Sequence, residues 1–411
     1  MLSYVTAGES HGPYLSAIIS GFPANVSLSQ TTLLADLAQR QKGYGRGGRM
    51  QIETDQVQIT SGVRFGQTLG GPIGLLLPNQ DFANWQEIMS VWPTASNNAS
   101  GQLSSAARRK RTVTQPRPGH ADLSGALKYG QQQDLRNVLE RASARETAMR
   151  VAVGSLCRQF LQRFGIEVLG WVSAIGTATI PSSVQKTASG AQTLPEFAKW
   201  QDRVSRDPVR TLNDQAMQAM CQEIDRAQAE GTTLGGQIRV VVLGLPIGLG
   251  SYVSATDKLD GRLAQALLSI NAIKGISFGS GFELGQQWGR ATLDPIVATT
   301  AGFSRTSNHQ GGLEGGMTNG QPLVIDLVMK PIPTQPQGAP TVDLRTMTAS
   351  RATVQRSDVT AVPAASVIAQ NMTAIVLMQA FCDMFGGDEF GRIKAAYQYY
   401  LDTIKTDFFE K

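Results

Sequence analysis

The sequence predicts one α/β domain with long functional loops. Helical and alternating apolar periodicities intermingle along all 411 residues, and no low-complexity linker divides them. The most apolar window, Pro363 to Phe385, is interrupted by Gln370, Asn371, Gln379 and Asp383, which suits a buried helix better than a membrane span. Hydrophobic residues at 41% and charged residues at 17% describe an ordinary globular chain and exclude a disordered one.

Ser29 to Gln41 places Leu33, Leu34, Leu37 and Ala38 at helical spacing and stops at Gly43. Gln51 to Ser61 alternates like a strand, and Gly70 to Leu77 reads as a buried one. From 92 to 114 the chain turns polar and then basic, ending in RRKR at Arg108 to Arg111, which predicts a mobile loop. Asp134 caps one long periodic helix through Val138, Met149, Phe160 and Phe164 to Gly165. Two more helices are expected over Asn213 to Glu230 and Asp257 to Ser269, with GGQIRVVVLGLP as a strand between them. Pro322 to Lys330 is a strand followed by the turn-rich KPIPTQPQGAP. Pro363 opens a helix, and Asp388 to Lys405 forms the last one.

The net charge of +5 and pI near 9.1 point to anionic partners. Cys157, Cys221 and Cys382 lack CxxC spacing or histidine neighbours and read as reduced thiols of a cytoplasmic protein, with no metal site. MLSYVTAGESHG has no basic segment followed by an apolar run, so no leader is expected. VTAGESHG and TTAGFSRTSNHQGG share three residues, too few to establish an internal duplication.

Only three histidines occur, and each lies in a glycine-flanked turn: His11 in GESHG, His120 in RPGHADLSG and His309 in SNHQGG. Loops on a rigid scaffold are where chemistry concentrates, and imidazole titrates near neutral pH. GYGRGG at Gly43 to Gly48 matches GxGxxG, but a helix precedes it and a strand follows, the reverse of a dinucleotide fingerprint. A single RGG copy is weak for nucleic acid. The remaining reading is a glycine loop carrying Arg40, Arg46 and Arg49 to one multiply charged anion, since guanidinium forks bind phosphate and carboxylate bidentately. Arg117 beside His120, Arg141 and Arg145 around Ser143, and Arg356 near Asp358 repeat the theme.

GESHG at Gly8 to Gly12, RPGHAD at Arg117 to Asp122, ERASARETAMRVAVG at Glu140 to Gly154, SINAIKG at Ser269 to Gly275 and RSDVTAVPAAS at Arg356 to Ser366 together resemble the chorismate synthase family. The likeness covers roughly residues 1 to 400. It implies a single-domain β-α-β sandwich of α+β type spanning 1–411, a homotetramer, reduced FMN as cofactor, and a 1,4-anti elimination of phosphate from 5-enolpyruvylshikimate 3-phosphate. Two carboxylates and a phosphate on that substrate would account for the arginine groups.

By the same resemblance His11 is the acid near the leaving phosphate, supported by Ser10. His120 balances charge on the reduced flavin, assisted by Ser143, and Asp358 is the base acting through the flavin N5 atom. Arg40, Arg46, Arg49, Arg117, Arg145 and Arg356 would hold the anionic groups. FMN contacts would fall at Arg141, Ala142 and Ser143, at Asn271 and Ala272, at Gly315, at Lys330, Pro331, Ile332, Pro333 and Thr334, and at Arg356. His309 receives no role. The family helix commonly carries Glu where Gln370 stands, and the stretch Val91 to Val113 is longer and more basic than the family implies. A separate flavin reductase is expected as the route from NADPH, because the one GxGxxG match has the wrong context. The alternative from another class is a noncatalytic RNA or polyphosphate binder using RGGR and RRKR.

Overall fold

A helix that is apolar on every side is stable only with protein all round it, and Val362–Phe385 is enclosed in that way. Pro363 lies in its first turn, where a missing N–H costs nothing. The structure is a computed structural model and describes residues 2–47, 54–93, 112–299, 302–353 and 358–409. Arg49, Arg356, RRKR and most of the basic 92–114 loop lie outside the described residues.

Two sheets flank the helical layer. One has the order Ser3–Ala7, Tyr14–Ser20, Ile73–Pro78, Gln58–Ser61. The other runs Ile273–Phe278, Leu323–Met329, Gly236–Leu243, Glu167–Ile175, Ala178–Thr179. Every ladder in both is antiparallel. The architecture is therefore α+β, a helical layer between antiparallel sheets, rather than alternating βαβ units. The core helix packs on Glu167–Ile175 and Gly236–Leu243 of the second sheet and on the Thr147–Gln162 helix, which reaches the strands of the first. One apolar core joins all three layers.

Close approach inside the layer depends on Gly154, where an added Cβ would stand 2.5 Å from the backbone oxygen of Asn371. Gln370 has a structural task. Its Oε1 accepts from Gly170 N at 3.0 Å, on a strand the short Ala178–Thr179 partner no longer covers, so an uncharged side chain serves at this position.

The single helix expected from Asp134 to Phe164 is two helices, Arg136–Ala142 and Thr147–Gln162. Between them Ser143 is extended (φ −64°, ψ 142°), and its hydroxyl accepts from Arg145 N at 3.3 Å. That local bond competes with continuation of the helix. Helices Ser182–Ser189 and Leu194–Arg206 fall in a stretch the periodicity left unassigned, although Thr193 accepting from Glu196 N is an ordinary N-cap. The expected strand from Gln51 is confined to Gln58–Ser61 within the described residues, and the last helix is Phe390–Phe409.

Gly154→Ala should lower unfolding free energy by about 1–3 kcal/mol through overpacking against Asn371. Urea denaturation measures it, and an unchanged midpoint would show that the two helices can separate freely.

Candidate active site

Residues distant in sequence surround a cavity of about 520 Å³. His11 and Ser10 enter it from the turn after the first strand. The His11 Nδ1 lies 2.9 and 2.8 Å from the two carboxylate oxygens of Glu140, and its backbone N–H donates to Oε2 at 2.9 Å. Arg136 Nη1 donates to Glu140 Oε1 at 2.8 Å. The imidazole is stacked on Trp85 with ring centres 4.0 Å apart, and the Arg136 guanidinium lies 4.9 Å from the Trp85 ring centre. Burial raises the Glu140 pKa, but the hydrogen bond and charge of His11, with Arg136, outweigh it and hold the carboxyl below its ordinary value.

His120 is tethered in the same manner. Its Nδ1 lies 2.6 Å from Asp122 Oδ1, while Arg117 donates to Asp122 through Nε at 2.8 Å and Nη2 at 3.0 Å and to Thr334 Oγ1 at 3.1 Å. Asp122 is fully buried. Burial raises its pKa, and the bonds from His120 and Arg117 reverse that and set it well below the usual carboxylate range. Arg117 Nη2 also stands 3.0 Å from His120 Nδ1 and 3.3 Å from Nε2.

The arginines are held from behind. Asp55 pairs with Arg145 Nη1 at 2.6 Å and Arg40 Nη1 at 3.5 Å, so one carboxylate faces two cations. Arg40 is braced by Thr147 Oγ1 and the Ala144 carbonyl, and Arg145 Nε by Asn79 Oδ1. Burial lowers the Arg40 pKa to about 10, which still leaves it charged at neutral pH. Arg46 Nη1 lies 3.2 Å from Asp358 Oδ2, and Gly47 N donates to Oδ1 at 2.7 Å. The glycine loop is strapped to this segment by Val359 N donating to Gly45 O. Gly45 has φ +78°, and an added Cβ would lie 2.7 Å from Ile224. Among the described residues, Arg40, Arg46, Arg117, Arg145, Lys274 and Lys330 line the cavity against one lining carboxylate, Asp358.

The opposite wall carries Ala142, Ser143, Asn271, Ala272 and the Lys330–Thr334 turn, but Pro331 is not part of the lining. Arg141 is directed elsewhere. The break at Ser143 turns it toward Gly8 O and Thr6 O, at 3.1 and 2.9 Å, away from the cavity that Arg145 faces. Gly315 sits in the turn between Leu313–Glu314 and Met317–Thr318 and does not line the cavity. His309 lines a different, larger cavity of about 770 Å³, where its Nδ1 meets Ser280 Oγ at 3.2 Å. Size is the wrong guide here, because the cations and the tethered imidazoles converge on the smaller one.

Glu140, Asp122, Asp55 and Trp85 were not legible as site residues. Glu140 and Asp122 stood inside quoted motifs, and a carboxylate two residues after His120 was the available signal. Asp55 and Trp85 act across the fold and left none.

A family model described as chorismate synthase matches residues 2–382. The chain belongs to the chorismate synthase family. The chorismate synthase of Syntrophotalea carbinolica is 49% identical over 404 residues, covering 98% of this chain and 99% of that one. That of Limosilactobacillus fermentum is 46% identical, with 98% and 100% covered. A solved structure titled "Crystal Structure of Chorismate Synthase" superposes with a TM-score of 0.77 at 36% identity, covering 98% of each chain. The enzyme is thus a carbon–oxygen lyase of aromatic biosynthesis: it eliminates phosphate from 5-enolpyruvylshikimate 3-phosphate to give chorismate. The alternative of a noncatalytic RNA or polyphosphate binder is not supported, and Arg46 of its RGGR segment is paired with Asp358. The sandwich the sequence implied is the layer order found.

Asp55→Ala should destabilise the fold by about 3–5 kcal/mol, since it leaves two buried guanidinium groups without their shared carboxylate. Thermal unfolding at matched ionic strength tests this; a loss under about 1 kcal/mol would show that Asn79, Thr147 and Ala144 suffice.

Proposed function

We propose that this cavity binds the substrate together with reduced FMN, with His11 as acid and Asp358 as base. The observation that carries the reading is the convergence of two carboxylate-tethered histidines and Asp358 on one cavity lined by several cations. A substrate with two carboxylates and one phosphate matches that excess of positive charge.

The residues present fit the flavin. Asn271 donates from Nδ2 to Ala142 O at 3.1 Å, and its buried Oδ1 has no hydrogen-bond partner among the described residues. A buried acceptor without a donor is costly, and the ring-edge N–H of a flavin would satisfy it. Ile270, Met329, Ile332, Pro333 and Ile368 offer an apolar surface to a planar ring. Bound in reduced form, the flavin would supply the electron density that eases phosphate departure, with no net change in its oxidation state.

The protein's share is proton transfer and charge. His11 gives a proton to an oxygen of the departing phosphate, and Ser10 beside it orders that end. Asp358 finally takes the ring proton, and His120 with Ser143 faces the anionic flavin. The C–H electron pair forms one ring double bond, the double bond already in the ring shifts to the carbon that phosphate leaves, and the C–O pair departs with phosphate, so no net oxidation occurs. Arg40, Arg46, Arg117 and Arg145 hold the carboxylates and phosphate, joined by Arg49 and Arg356, which lie outside the described residues.

The active form is a single-domain homotetramer in the cytoplasm, and exposed Phe282, Trp288, Leu293 and Ile296 give it apolar surface for subunit contact. The free thiols of Cys157, Cys221 and Cys382 accord with a reducing compartment. Reduced flavin comes from a separate reductase that draws on NADPH.

His11→Ala and His120→Ala should each lower turnover roughly 10²–10⁴-fold, while His309→Ala leaves it within a few-fold. Asp358→Asn should retain substrate and FMN binding but slow single turnover. If His309→Ala were the most damaging, or Asp358→Asn were fully active, the assignment would be wrong.

Activity is expected anaerobically with chemically reduced FMN and is absent with oxidised FMN plus NADPH until a reductase is added. Sustained chorismate formation from purified protein, oxidised FMN and NADPH alone would sink the separate-reductase reading and leave the elimination chemistry standing.

A further inference from the structure

The Glu140 carboxylate does more than fill a core position. Its side chain is 1% exposed, it contacts both Nδ1 and the backbone N–H of His11, and its own carbonyl accepts from Ser10 N at 3.0 Å. Arg141, the next residue, holds Gly8 O and Thr6 O. The last turn of the Arg136–Ala142 helix thereby grips the whole GESHG turn. Trp85 fixes the face of the imidazole while Glu140 fixes its edge.

An ionised carboxylate is an acceptor only, so the His11 atom facing it must carry a hydrogen whether the ring is neutral or cationic. The pairing with Arg136 keeps Glu140 ionised without taking its place at the ring. We propose that Glu140 is a positioning residue for the elimination, which holds His11 as the Nδ1–H form and leaves Nε2 as the atom that exchanges a proton with the departing phosphate. This rests on the reading of His11 as the acid.

Glu140→Gln keeps length and one acceptor oxygen but removes the charge. Loss of a carboxylate that orients a working histidine costs from about ten-fold to roughly 10⁴-fold in comparable settings. We expect kcat to fall roughly 10²-fold or more with KM within about threefold. Selective ¹⁵N labelling of the three histidines, assigned with His309→Gln and His120→Asn, should show Nδ1 of His11 protonated in the wild-type enzyme at neutral pH and a changed proton distribution between its nitrogens in Glu140→Gln.

Wild-type kcat in Glu140→Gln would overturn the proposal, as would a loss of kcat with an unaltered His11 spectrum, which marks a purely structural role. Should the variant fail to fold, the wild-type spectrum decides alone: an unprotonated Nδ1 on His11 refutes it. His11→Ala separates the two readings, because full activity there removes the acid assignment itself, whereas an inactive His11→Ala beside a fully active Glu140→Gln removes only the role of Glu140.

Discussion

Like charges gathered round one cavity repel one another, and the site is organised by how that repulsion is offset. Among the described residues six lysine and arginine side chains line the space, and the carboxylates that hold Arg40, Arg145 and Arg117, namely Asp55 and Asp122, stand behind the lining. Neither is in excess. Asp55 serves two guanidinium groups and Asp122 serves both an arginine and a histidine. These arginines are fixed in direction yet outnumber the carboxylates that hold them, so the cavity keeps a field for a polyanion with little reorganisation when one arrives. A lining of exposed lysines would carry the same charge with far more freedom to lose on binding.

Fixing those directions required breaking a helix. If Arg136 to Gln162 were continuous, residues 141 and 145 would lie on one face. The extended Ser143 separates them, and two arginines four positions apart then do opposite jobs: Arg141 ties down the first loop, whereas Arg145 faces the cavity with Asp55 at its back. The helix after the break is free to bury itself against Val362–Phe385, and the contact at Gly154 and Asn371 fixes its position. Packing in the core and aim at the site are thus two consequences of one interruption.

Much of this was legible beforehand, for identifiable reasons. The core helix, the Leu323–Met329 and Gly236–Leu243 strands, and the loop positions of His11 and His120 follow from local periodicity and turn chemistry, which a single sequence displays. The break at Ser143 was hidden because apolar spacing continues across it, and a side-chain cap is worth too little to register in a periodic pattern. The pairing of Asp55 with Arg40 and Arg145, and the stacking of Trp85 on His11, join segments separated by up to 90 residues. No local signal encodes such contacts. The redirected Arg141 shows the limit of carrying roles by motif, since adjacent residues in a matching stretch need not share a wall.

The two histidine tethers also link the site to the stability of the fold. Burial alone would make Asp122 and Glu140 harder to ionise, yet both end below their ordinary values because hydrogen bonds and neighbouring cations outweigh desolvation. A carboxyl whose folded pKa is depressed contributes stability that is present above its unfolded value, about 3.9 for Asp and 4.3 for Glu, and is lost as pH falls through the folded one. At neutral pH that contribution is complete, so the interactions that aim the imidazoles are also among those that hold the GESHG and RPGHAD turns in place. Acid must therefore protonate these carboxyls, at a pH below their ordinary values, before it can release the turns.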